Sequence, residues 1–108
     1  MSILENAKAA FASRRAELQK IDVPEWGATI YYRAMTMKQK MAIYEGDPAV
    51  PEIAVRTVLY RALNEEGQPL FRPADRVELV NHVDPQIIER VALAMHASEF
   101  SQGDAEKK

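Results

Sequence analysis

The chain has 108 residues, 47% hydrophobic and 28% charged, which is enough for one domain with a real core and too few for two. Sixteen acidic against fourteen basic residues leave a net charge of −2, so no general attraction for a phosphate backbone exists and no nucleic-acid partner is expected. Cysteine is absent, which excludes thiol catalysis, disulfides and thiolate-ligated zinc, and no apolar run approaches the ~18 residues of a membrane span.

Residues 3–18 read as an alanine-rich helix with Leu4, Ala7, Phe11 and Leu18 on one thin apolar face. So narrow a stripe must dock on something or fray. A β-hairpin is expected over residues 20–33. Ile21 and Val23 alternate with polar neighbours, Thr29-Ile30-Tyr31-Tyr32 is β-branched and aromatic, and Pro24 and Gly27 bracket a turn with Trp26 at its tip. Thr36 and Gln39 have capping-box spacing and start a helix over 37–45, which Gly46, Asp47 and Pro48 end. A longer helix over 51–63 presents Val55, Val58, Leu59 and Ala62, with Ile53 and Tyr60 extending that face sideways.

Residues 64–69 form a turn, Leu70-Phe71 a short extended piece, and Pro73 starts a brief helix ending near His82. Asp84 and Pro85 open the last helix, 85–100, whose inner face carries Ile87, Ile88, Val91, Ala94, Met95 and Ser98. Residues 101–108 are a polar tail expected to be disordered. The expected fold is therefore α+β: a small, predominantly helical single domain over 1–100 with a β-hairpin near the N-terminus.

Catalytic patterns are missing from this order of elements. No Gly-rich phosphate loop, nucleophile elbow or carboxylate pair with a base is present. His82 and His96 lie fourteen residues apart without ligand spacing, and Asp75 and Glu78 fit a solvated helix face. Neither enzyme activity nor a cofactor or metal is expected. The first residues lack a charged start followed by an apolar stretch, so a cytoplasmic location is expected.

Apolar residues in unusual places supply the candidate sites. Met35, Met37 and Met41 cluster with Tyr44 after the hairpin, suiting either a core or a surface that accepts varied apolar partners. Trp26 in its turn fits an interface anchor or a side chain folded back on the helices. On the last helix Leu93, Ala97 and Phe100 fall off the inner face together with His96, and are expected to support a homo-oligomer. Arg56 and Arg61 lie nearly opposite each other on a helix, which argues against a shared basic patch.

Three segments carry a family resemblance: Ile21-Asp22-Val23-Pro24-Glu25-Trp26-Gly27, Arg33-Ala34-Met35-Thr36, and Asn64-Glu65-Glu66-Gly67-Gln68-Pro69-Leu70-Phe71. Together they resemble the tail assembly chaperones of long-tailed bacteriophages and prophages, over about residues 21–100. The resemblance implies a non-enzymatic protein of the host bacterial cytoplasm. Such proteins bind and solubilise the tape-measure protein, assist the tail-tube protein in polymerising around it, and are absent from the mature virion. Candidate partner-binding residues are Trp26, Met35, Met37 and Met41, taken from the physical reading alone. Two alternatives remain: a tail-completion or connector protein that stays in the virion, and a small phage regulatory binding protein.

Overall fold

The computed structural model describes the backbone of residues 2–107 and the side chains of residues 2–97. Strands β1 (Gln19–Val23) and β2 (Ala28–Tyr32) pair antiparallel, with Ile21 opposite Ile30 and Val23 opposite Ala28. A single 3-10 turn, Pro24–Trp26, joins them. Gly27 follows in the left-handed region at φ 59°, a conformation that costs a side-chain-bearing residue and lets the chain reverse here. The twofold period of a strand sends Val23, Ile30 and Tyr32 into the core.

The free edge of β2 is partly stitched by the chain farther on. Tyr31 and Leu63 exchange both backbone hydrogen bonds, at 2.9 and 2.7 Å, and Leu63 bridges in turn to Pro69. The Asn64 side chain accepts from the backbone N–H of Glu66 and of Gln68, folding the intervening turn. Gly67 has φ 80° there, and a Cβ on it would come within 2.7 Å of the Arg33 guanidinium. The acidic-glycine turn thus leaves room for an arginine that does structural duty elsewhere.

Two helices cover the hairpin: α3 (Val50–Arg61) and α5 (Pro85–Lys107). Ala54, Val58 and Leu59 of the first meet Ile88, Val91, Ala92 and Met95 of the second in one cluster with Val23, Ile30 and Tyr32. Burying each large aliphatic side chain in it contributes about 1.5–3 kcal/mol before entropy is charged. Helix α4 (Arg76–His82), entered through a 3-10 turn at Pro73–Asp75, adds Leu79. Helix α2 (Met37–Tyr44) packs beside α3, burying only Ile43. This is the α+β single domain expected from the sequence, with the hairpin near the N-terminus.

Helix α1 (Ile3–Ala16) departs from expectation. It ends before Leu18, buries no residue, and leaves Leu4 and Ala7 exposed with Phe11 half-buried. Hydrogen bonds hold its end instead of a docked stripe: Arg15 donates to the Ala34 carbonyl at 2.6 Å, and Arg33 donates to the Arg15 carbonyl at 2.6 Å. Its start is closed by a reciprocal Ser2–Glu5 capping box. At the other end of the chain, α5 runs beyond the expected 85–100, and the polar tail expected over 101–108 has its side chains outside the described residues.

Candidate functional site

Helix α2 is short for its own stability, because one eight-residue helix is marginal in water. It is fixed at both ends by polar contacts. At the start the Thr36 hydroxyl accepts from the Gln39 N–H at 3.0 Å, and the Gln39 side chain accepts from the Thr36 N–H at 3.1 Å. At the finish, Arg56 Nη1 donates to the carbonyls of Ile43 at 3.0 Å and Glu45 at 2.7 Å, with Ala42 at 3.5 Å. Those are carbonyls for which a helix terminus has no internal partners. A positive group at that end also meets the negative pole of the helix dipole. Beyond it, Gly46 at φ 79° and Asp47 at φ 54° turn the chain sharply away.

Arg56 is itself held in place. Its Nε donates to Glu52 at 2.8 Å, and Arg76 on α4 grips the same carboxylate through two bonds of 2.7 and 2.6 Å. The Arg76 hydrogen bonds, followed by those of Arg56, hold the Glu52 carboxyl below the usual carboxylate range, while partial burial opposes them. One glutamate thereby links α4, α3 and the end of α2.

With Ile43 turned inward, the outer face of α2 presents Met37 at 68% exposure, Met41 at 67% and Tyr44 at 43%. For Met37 and Met41 the core reading is therefore corrected: one inward residue satisfies the contact with α3, and the methionine row points away. Met35, just before the helix, is half-buried. Trp26 belongs to a different neighbourhood. It is half-buried against the central cluster, and its neighbour Glu25 accepts two bonds of 2.7 Å from Arg90 on α5. Those bonds draw the Glu25 carboxyl down to about 2. The turn is pinned to α5, and Trp26 is folded back on the helices.

On α5, Leu93 is 69% exposed and Ala97 is exposed, while the Phe100 side chain lies outside the described residues. A groove of about 290 Å3 between α3 and α5 runs past Leu93, lined by Val50, Ile53, Ala54, Ala92 and His96. His96 is half-buried, with Nε2 3.2 Å from the Thr57 hydroxyl. That hydroxyl gives its single proton to the Ile53 carbonyl at 2.7 Å, so Nε2 is the donor in the contact. This arrangement is a helix-to-helix tie.

Arg56 is the residue whose part the sequence reading missed. Its only signal there was the i, i+4 spacing from Glu52. Arg61 is buried, lies 5.4 Å from the Tyr32 ring and donates to the Arg33 carbonyl at 2.9 Å, so the two arginines form no common surface. Among the described residues no group of three or more histidine, aspartate and glutamate side chains could hold a metal ion, and no helix is long and apolar enough to cross a membrane. Comparison of the chain with protein-family models, curated proteins and solved structures gives no match.

Proposed function

We propose that this chain is a phage tail assembly chaperone. It binds and solubilises a tape-measure protein in the host bacterial cytoplasm, assists tail-tube protein in polymerising around it, and is not carried into the mature virion. The observation that carries the proposal is the outer face of α2. A short helix is clamped at both ends by Thr36, Gln39 and Arg56, yet three of its four large apolar side chains, Met37, Met41 and Tyr44, face solvent. Rigid presentation of unbranched, polarizable methionines suits a surface that must accept many slightly different apolar segments. The motif resemblance names the partner such a surface would serve.

A long helical protein with exposed apolar stripes aggregates if it is made before its enclosing tube. Many small copies, each covering a short stretch, suppress that. Each contact is weak so that tube subunits displace it, and retention comes from the number of contacts along one partner. Leu93 and Ala97, exposed on α5, support association between copies, which raises the local density of α2 faces.

Co-expression with the tape-measure protein of the same phage tests this. The expected result is a larger soluble fraction of that protein and a co-purifying complex, both lost in the double variant Met37→Gln with Met41→Gln. An unchanged soluble fraction without a complex overturns the proposal. Stoichiometric amounts of the chain in purified particles point instead to a virion component.

A further inference from the structure

The apolar row on α2 has a charged border on each side. Successive helical residues are turned by about 100°, which places Met37, Met41 and Tyr44 within a sector of about 60°. Lys40 flanks that sector on one side and Lys38 on the other. Both lysines are exposed, neither joins an ion pair among the described residues, and α2 contains no acidic residue. The whole chain carries a net charge of −2, so this local positive border runs against the general composition.

We infer that the α2 face docks an amphipathic helix whose apolar row is bordered by glutamate or aspartate, with Lys38 and Lys40 meeting those carboxylates across the rim. The inference rests on α2 being the partner-binding face and adds the charge of the partner to it. Lysine stems are long and flexible, so their ammonium groups reach past the edge of a crossing helix while the methylenes lie along its apolar side. Opposite charges at such a rim speed encounter and fix orientation more than they add affinity. The same border disfavours helix α1 of a second copy as the occupant. Helix α1 carries Lys8, Arg14 and Arg15 against a single Glu5, so like charges would meet.

Fluorescence polarisation with two labelled synthetic helical peptides tests the inference. Both carry the same leucine row, one bordered by glutamate and the other by lysine. The wild-type chain is expected to bind the glutamate-bordered peptide about tenfold more tightly at low salt, with the gap shrinking toward physiological ionic strength. The double variant Lys38→Glu with Lys40→Glu should reverse the preference, and Met37→Gln with Met41→Gln should weaken both peptides alike. Equal affinity for the two peptides overturns the inference and leaves the apolar docking face standing. Binding to neither also overturns it, and co-expression with the tape-measure protein then judges the wider proposal separately. A dimer in light scattering that the methionine double variant dissolves assigns the face to a second copy and overturns it as well.

Discussion

Helices α3 and α2 lie side by side and are held by opposite means. Helix α3 buries Ala54, Val58 and Leu59 in a cluster shared with the hairpin and α5, so removal of apolar area from water holds it. Helix α2 buries Ile43 alone and is held by hydrogen bonds at its two ends. A helix anchored by burial must spend its apolar face on the core. A helix anchored by its ends keeps that face for something else. The contrast explains how a row of exposed methionines is presented on a fixed framework without that row contributing to the framework's stability.

The largest expected effect lies on the buried side of this contrast. Met95→Ala empties a site with no solvent exposure and should cost about 2–5 kcal/mol of unfolding free energy, read from urea melts. Loosening should spread through α3, α5 and the hairpin together, because one cluster joins them. Next comes Arg56→Ala, which removes the Glu52 pair and the bonds to the last carbonyls of α2. A loss of about 1.5–3 kcal/mol is expected, the range for hydrogen bonds made by a charged group. Hydrogen exchange should place that loss in α2, with the amides of α3 and α5 staying protected. Equal loosening of α3 would break the distinction between the two helices.

Much of the buried framework was legible because it follows local periodicity. Alternation at Ile21 and Val23 and the β-branched run before Arg33 gave the hairpin, and Thr36 with Gln39 gave the start of α2. What periodicity cannot give is direction. Met37 and Met41, four apart, mark one face of a helix, and nothing in eight residues says whether that face or the one with Ile43 turns inward. Arg56 was opaque for a related reason: its carbonyl acceptors lie up to fourteen residues away and meet it only after α2 packs on α3. Helix α1 misled because an amphipathic stripe predicts docking, whereas the Arg15 and Arg33 cross-bonds hold its end with Phe11 only half-buried and no residue fully buried.

Acid should separate the two kinds of anchoring by a smaller margin. Arg90 draws the Glu25 carboxyl from its ordinary 4.5 to about 2, and Arg76 followed by Arg56 lowers Glu52. A carboxylate lowered in the folded state contributes stability that is fully present above its ordinary value and lost as pH falls through the folded one. The sensitive window for Glu25 therefore opens near 4.5 and extends down to about 2. Solvent screens this pair, whose side chains are 48% and 44% exposed, so the effect falls below that of Arg56→Ala. Thermal melts across the window should show a shallower pH dependence for Glu25→Gln than for the wild type. Parallel curves would mean that the Glu25–Arg90 pair contributes nothing to fastening the turn to α5.

The smallest expected effect is the most informative about function. Met37→Gln with Met41→Gln keeps side-chain length and helix propensity while removing the apolar row. Both residues are about two-thirds exposed, so the folded and unfolded states see nearly the same solvent, and stability should change by no more than about 0.5 kcal/mol. Unaltered urea midpoints together with lost partner solubilisation would mean that selection placed these methionines for binding. A drop comparable to that of Met95→Ala would mean that the row is packed in solution, against a second copy or against α1. Concentration-dependent melts separate those cases, because only association between copies makes the midpoint rise with protein concentration.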